Sequence, residues 1–466
     1  MATPADPSFR GSVRRLVPLA WPVLVGQVSV LGFATVDTVL VARYDAADLA
    51  ALAIGAAAYI TVFIGLMGVV LALAPIVGQL QGARRFADAG RQVHQAVWIA
   101  LGLTLLGSTL LLLPAPFLAL ARVPPELEPR VRGYLGALAF SLPAALLFTV
   151  YRGFNTAVSR PKAVMALQLA GLALKIPLSI ALVRGVPALG VPALGVVGCG
   201  VATLIAMWAL AVAAFVVVRR DPFYAPYALG GRARGLLGLR LDPPDRRALA
   251  AQLRLGVPLG LTIVIEVTGM TFIALLIARL GTTAVAGHQI AANLAALLFM
   301  IPLALGNATS TLVAQAIGAR DEADARRLCW HGLALGLAVA LVVGGTVYLL
   351  RVPIVGLYTA DPAVQAAALA LVAWLAWFHL GDAGQTVAAF ALRAWRVATV
   401  PLVIYAVVIW GVGLGGGYLL AFDVLGLTPG PLLGAPGFWA AGAFALLLTA
   451  VLLATFLAWM LRQRRG

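Results

Sequence analysis

The sequence predicts an all-helical integral membrane protein with twelve transmembrane helices, arranged as two six-helix bundles. Three observations support this: the composition, the number of long apolar runs and an internal repeat. Of the 466 residues, 62% are hydrophobic and only 11% are charged, whereas soluble domains carry about 25% charged residues. Cys199 and Cys329 lie far apart and lack metal-ligand spacing, which excludes a disulfide framework and a zinc site. We expect no cofactor or metal.

The apolar runs are long enough to cross a bilayer twelve times. A helix needs about 20 apolar residues to do so. Charges and clusters of proline or glycine divide the chain into twelve such runs. These predicted spans lie near 16–42, 49–80, 93–121, 131–151, 163–183, 194–218, 255–278, 285–317, 329–350, 364–390, 398–421 and 438–461.

Basic residues predict how the spans are oriented. With the N-terminus in the cytoplasm, 25 of the 33 lysines and arginines fall on the cytoplasmic side, seven fall outside, and Lys175 lies within the membrane. By the positive-inside rule, both termini are cytoplasmic, and we expect the protein in the inner cell membrane. The net charge of +16 fits anionic lipid headgroups as partners, and no nucleic acid is expected.

An internal repeat divides the chain into two halves. The segment 22–91 aligns with 258–327 without a gap, and 20 of these 70 positions are identical. This alignment shifts the chain by six spans, so each span is paired with one that crosses the membrane in the same direction. The halves are therefore parallel repeats, as in carriers that work by alternating access. We predict lobes at 1–218 and 255–466, joined by a basic cytoplasmic linker at 219–254.

Three acidic residues lie deep inside predicted spans: Asp37, Glu266 and Asp382. Ionised carboxylates are costly in hydrocarbon, so acids at this depth usually mark a transport pathway. Glu266 lies about 18 Å from Arg254 and Asp382 about 16 Å from Arg393 at helical rise. Both distances start from the cytoplasmic side, so we expect the two acids to share one cavity.

This pair of acids suggests a coupling mechanism. Burial and like charge favour the protonated form of neighbouring carboxyls. A cationic solute entering the cavity would favour the ionised form and expel the proton. The sequence thus predicts exchange of protons for small cationic substrates.

Lys175 is the fourth deep charge. It lies about 13 Å from Arg184 at helical rise, and its extended side chain reaches the depth of Asp37. We predict a salt bridge between these two side chains. The alternative is that Lys175 snorkels to the outer interface.

Several motifs resemble the multidrug and toxic compound extrusion (MATE) family, and its NorM-like branch in particular. Their order and spacing match over nearly the whole chain. The matching segments are Leu19-Ala20-Trp21-Pro22 with Val36-Asp37-Thr38, Gly195–Thr203, Gly256-Val257-Pro258 with Glu266, Ala286–Asn293, and Gly381-Asp382-Ala383-Gly384-Gln385.

The resemblance implies a V-shaped antiporter that exports lipophilic organic cations in exchange for H+ or Na+. It assigns Glu266 and Asp382 to the coupling-ion and substrate site of the second lobe. It also makes Asp37 the acid of the first lobe and Gln289 a polar cavity contact. We count Ser179, Cys199 and Phe378 as further binding-site candidates beside these residues.

One departure from the family pattern concerns sodium. The family's fifth helix commonly reads Asn-Ile-Pro-Leu-Asn, and its asparagines help to form a cation site with the first-span aspartate. Here the segment reads Lys175-Ile176-Pro177-Leu178-Ser179, and a fixed ammonium would repel sodium. Phe378 also replaces the tyrosine that some relatives carry near a second-lobe cation. We therefore predict proton coupling, with sodium less favoured.

Two alternatives remain at this stage besides a channel, against which the parallel repeat around a single midplane site argues. The first is a flippase for lipid-linked precursors from the same broad superfamily. Three deep acids against one lysine make it less favoured, because a pyrophosphate cargo needs cations. The second is a membrane-embedded transferase, but paired acidic motifs for Mg²⁺ do not occur. We expect a secondary transporter rather than an enzyme, and a monomer.

Overall fold

The computed structural model describes residues 6–120, 123–229 and 241–464. Twelve of its helices are long and apolar enough to cross a membrane, so the predicted fold class is confirmed and the protein is a multi-pass membrane protein. Arg122, Arg465 and the middle of the predicted linker, residues 230–240, lie outside the described residues. The twelve helices are α1 Phe9–Ala42, α2 Ala46–Gly82, α3 Phe86–Leu112, α4 Glu128–Ala157, α5 Pro161–Arg184, α6 Val196–Arg220, α7 Arg246–Ala278, α8 Thr282–Gly318, α9 Glu322–Leu349, α10 Pro362–Ala394, α11 Thr399–Ala421 and α12 Ala435–Gln463.

The helix bounds repeat in the register found in the sequence. When 22–91 is aligned with 258–327, the first and last residues of α2 coincide with those of α8. Arg84 and Arg320 follow these helices at paired positions, and both adopt positive φ, 57° and 62°. Since non-glycine residues rarely adopt this conformation, the shared geometry shows that the repeat extends to the backbone.

A turn at 71–72 interrupts α2, and three further irregularities were not predicted. The third span was expected to run to residue 121, but α3 ends at Leu112 and a short helix, Ala115–Leu120, follows Pro114. Proline disfavours helical geometry in the residue before it, which explains the break. Within α11, Val408–Gly415 forms a π-helix, and a further short helix, Arg351–Tyr358, precedes α10.

The chain packs into two compact units. The first, here called the N-terminal unit, comprises Val25–Gly260, and the C-terminal unit comprises Met1–Leu24 with Leu261–Gly466. The predicted lobes are separated at the linker. The boundaries between the compact units instead lie inside α1 and α7. Each division falls just after a proline inside the helix, Pro22 or Pro258.

Each unit is built around one central helix. In the N-terminal unit, α4 packs against α2, α3 and α6, and its buried side chains Leu135, Leu142 and Phe154 belong to the main apolar core. In the C-terminal unit, α10 packs against α8, α9 and α12. The two sets of neighbours correspond under the repeat. Asp382 lies on this central helix of the C-terminal unit.

Candidate ion and substrate sites

Asp37 lies in a buried polar cluster of the N-terminal unit. Its Oδ2 is 2.9 Å from Nζ of Lys175, and its Oδ1 accepts a hydrogen bond from Oγ of Ser179 at 3.3 Å. The Cys199 thiol lies beside the same carboxyl. The predicted ion pair is therefore present, and Lys175 does not snorkel: it is 0% exposed.

Helical spacing brings these side chains together. Lys175 and Ser179 are four residues apart on α5, and Cys199 and Thr203 are four apart on α6, so each pair shares one helix face. Lys175 Nζ also donates to Oγ1 of Thr203, which in turn donates to the Cys199 carbonyl at 2.9 Å. The Phe33 ring, one turn before Asp37, lies 5.3 Å from Nζ.

The cluster is electrically balanced. One carboxylate faces one ammonium, and both side chains have further hydrogen-bond partners. A buried ion pair of this kind is stable only when its remaining polar atoms are satisfied. The Lys175 ammonium thus already balances the charge of the Asp37 carboxylate. Sequence analysis did not assign Thr203 or Phe33, although helical spacing from Cys199 and Asp37 could have found them.

The second pair of acids lies in the C-terminal unit. Asp382 on α10 is 5% exposed, and its Oδ1 accepts a hydrogen bond from Nε2 of Gln385 at 2.9 Å. Glu266 on α7 is half-buried and lies within electrostatic range of Asp382. That the two acids share one substrate cavity stays a prediction.

No cation neutralises these acids within the described part of the chain. Neither Glu266 nor Asp382 forms an ion pair there, in contrast to Asp37. Tyr405 on α11 is 3% exposed and lies within electrostatic range of both acids. An unpaired carboxyl pair in a buried setting is suited to binding a proton or a cation.

Neighbouring side chains contact Asp382 and the backbone next to Glu266. Trp410, in the π-helical part of α11, donates from Nε1 to the Ile265 carbonyl at 3.1 Å, next to Glu266. Gln385 lies one turn after Asp382 and is 1% exposed. Sequence analysis quoted Gln385 only as part of a motif and gave Trp410 and Tyr405 no contact with the acids. Both side chains lie on α11, a helix that carries neither acid. Sequence spacing therefore could not show the Trp410 contact with Ile265 or the position of Tyr405 near the acids.

Two candidates remain, Phe378 and Gln289. Phe378 is buried, and its ring packs 5.3 Å from that of Trp439 in an apolar cluster. Gln289 is exposed near the start of α8. The contact of Gln289 with a substrate cavity stays a prediction.

Comparison with known proteins identifies the family. The MatE family model matches residues 22–181 and 258–419, two segments that begin at positions paired by the internal repeat. The chain belongs to the MATE family. This MATE protein is 43% identical to a "Probable multidrug resistance protein NorM" of Aromatoleum aromaticum, with 96% of this chain and 93% of that one covered.

A second NorM relative, from Chromobacterium violaceum, is 38% identical, with 97% of this chain and 94% of that one covered. The solved eukaryotic MATE transporter AtDTX14 has the same fold: the TM-score is 0.84 at 18% identity, with 97% of this chain and 96% of that one covered. The chain is a NorM-like transporter and not an enzyme, which removes the transferase alternative.

Proposed function

We propose that this MATE transporter is a multidrug efflux antiporter of the inner membrane that exports lipophilic organic cations in exchange for protons, with both its termini in the cytoplasm. The observation that carries the proposal is the contrast between the two units. The deep acid of the N-terminal unit is paired with an ammonium 2.9 Å away, whereas Glu266 and Asp382 have no such partner among the described residues.

Cargo and proton then compete for the same negative charge. With Glu266 and Asp382 protonated, the buried site carries no charge and a cation gains little by entering. Arrival of a cation favours the ionised carboxylates and releases protons. Because each ligand binds the form that the other disfavours, proton influx drives cation efflux.

Sodium is the less favoured coupling ion. In the N-terminal unit, a sodium ion beside Asp37 would lie within a few ångströms of the Lys175 ammonium, where like charges repel strongly in a low dielectric. Three deep acids against one lysine also argue against a pyrophosphate-linked cargo, so the flippase alternative is not favoured. The names of the relatives, multidrug resistance proteins, support the efflux proposal.

Transport in proteoliposomes tests this proposal. Proteoliposomes that contain the protein are loaded with a fluorescent lipophilic cation. A pH gradient and a sodium gradient are then imposed in separate experiments, with the membrane potential clamped. We expect transport with the pH gradient and none with sodium alone. Glu266→Gln and Asp382→Asn should each abolish it, while Glu126→Gln, the same change at an exposed loop acid, should not. Sodium-driven transport, or full activity in both buried variants, would refute the proposal.

A further inference from the structure

An open cleft lies between the start of α9 and the end of α12 in the C-terminal unit. Its volume is about 660 Å³. The lining includes three arginines, two aromatic rings and one apolar side chain: Arg326, Arg327, Arg462, Trp330, His331 and Leu461. None of these residues belongs to the acidic pair, so the cleft is a separate feature of the molecule.

The described part of the protein neutralises the arginines of the cleft only in part. Arg327 and Arg15 share a single carboxylate, Asp324, at 3.2 and 2.9 Å. Arg462 is exposed and forms no ion pair within the described chain. The only carboxylate that pairs with Arg326 there belongs to the half-exposed Glu322. An excess of positive charge therefore faces the cleft, and arginine forks suit phosphate oxygens.

The repeat shows what fills the same position in the N-terminal unit. Continued past its ends, the repeat alignment pairs His94 with Trp330 and Gln95 with His331. His94 Nδ1 lies 3.0 Å from a carboxylate oxygen of Asp242, and Gln95 Nε2 donates to the Pro243 carbonyl at 3.0 Å. Linker residues thus supply polar oxygen atoms to the N-terminal counterpart of the cleft. In the C-terminal unit, the start of α1 supplies the equivalent contact, since Ser12 Oγ lies 2.7 Å from Nδ1 of His331. Arg327 and Arg462 still line an open cleft beside it.

The surroundings of the cleft are those of a membrane interface. Trp330 is 40% exposed and Trp459 is 52% exposed, and tryptophan is enriched where helices leave the bilayer. Farther along α12, Val451 and Phe444 are exposed, as expected of side chains that face acyl chains. A ligand in the cleft would have a charged end among arginines and an apolar end along the helix.

We propose that this cleft binds the headgroup of an anionic phospholipid, whose phosphate contacts Arg327 and Arg462. The apolar flank favours a lipid over a free phosphate ion, since only a lipid gains from both surfaces. Basic clefts between transmembrane helices are a known setting for such headgroups. Bound lipid would lie beside the α1 residues that contact His331.

Native mass spectrometry of the full-length protein in detergent tests the site. Phosphatidylglycerol or phosphatidylcholine is titrated, and the bound fraction is measured. We expect phosphatidylglycerol to bind selectively, and R327Q with R462Q to weaken it by about tenfold or more. The matched control is R91Q with R220Q, since Arg91 is the repeat counterpart of Arg327 and Arg220 ends α6. This control should bind as the unmodified protein does.

Three results would overturn the proposal. These are unchanged binding in R327Q/R462Q, equal loss in both double variants, and displacement by inorganic phosphate at the lipid's own concentration. Should the double variant fail to fold, R462Q alone replaces it, because Arg462 is exposed. As a second readout, phosphatidylglycerol should raise the thermal unfolding temperature of the unmodified protein and leave that of R462Q nearly unchanged.

Discussion

At the scale of single residues, the buried Lys175–Asp37 pair has a clear energetic consequence. Removing one partner leaves an uncompensated charge in a low dielectric, whereas removing both does not. We expect Lys175→Met to destabilise the protein by about 3 to 5 kcal/mol. Adding Asp37→Asn to Lys175→Met should restore part of this loss. Thermal unfolding of both single variants and the double variant in detergent measures the coupling.

Lys162→Met is the control for this cycle, since Lys162 is an exposed lysine on the same helix, α5. It should change stability little. Additive effects of Lys175→Met and Asp37→Asn, with no recovery in the double variant, would contradict the paired arrangement.

The depth of most buried charged residues could be predicted from the sequence, because a charged residue is easily recognised in an apolar run. Helical rise alone placed Lys175 and Asp37 at one depth, and Glu266 and Asp382 at another. The neutral partners could not be found in this way. Thr203 and Tyr405 resemble many other polar residues of the spans, and only the packing of α6 and α11 shows that they reach the charges.

At the scale of elements, the position of α10 depends on a close helix crossing beside Asp382. A Cβ added at Gly381 would lie 2.6 Å from the Leu447 backbone nitrogen on α12. Because backbone cannot move aside cheaply, Gly381→Ala should destabilise the protein by about 1 to 3 kcal/mol and reduce transport. Thermal unfolding and proteoliposome transport measure both effects.

Gly345→Ala on α9 is the matched control, because an added Cβ there meets nothing within 4 Å. This variant should be neutral or slightly stabilising, since alanine favours helix over glycine. Equal stability of the two variants would show that the α10–α12 crossing tolerates a methyl group.

The π-helical segment of α11 gives a second prediction at this scale. Trp410→Phe removes the hydrogen bond to the Ile265 carbonyl and loosens α7 next to Glu266. We expect transport to fall by about tenfold or less while the protein stays folded. Trp377→Phe, at an exposed tryptophan of α10, should leave the transport rate unchanged. If Trp410→Phe has no effect either, this contact does not position Glu266.

The helices themselves were predictable because hydrophobic length decides which segments cross a bilayer. Their irregularities were predictable only in part. The break before Pro114 could have been expected from proline chemistry. The π-helix at Val408–Gly415 carries no clear signal, since the glycines there are compatible with ordinary helix as well.

At the scale of the whole molecule, the distribution of basic residues predicts the orientation. A fluorescent protein fused to the C-terminus should fold and fluoresce, because 25 of the 33 basic residues then lie on the cytoplasmic side. Alkaline phosphatase inserted in the α11–α12 loop at Gly426 should be active. The opposite pattern of reporter activity would reverse the proposed orientation.

The repeat was visible in the sequence because identical residues recur in whole blocks and in one register. The division of the units inside α1 and α7 was not visible. Sequence boundaries follow loops and charges, whereas compact units follow packing, and each of these helices contributes residues to both units.

The central claim is that cationic cargo displaces protons from Glu266 and Asp382. Proton release on substrate binding measures this directly, with a pH-sensitive dye in weakly buffered detergent solution. We expect release from the unmodified protein and from Lys175→Met/Asp37→Asn, and none from Glu266→Gln/Asp382→Asn. Cargo binding without proton release in the unmodified protein, or undiminished release from Glu266→Gln/Asp382→Asn, would contradict the account.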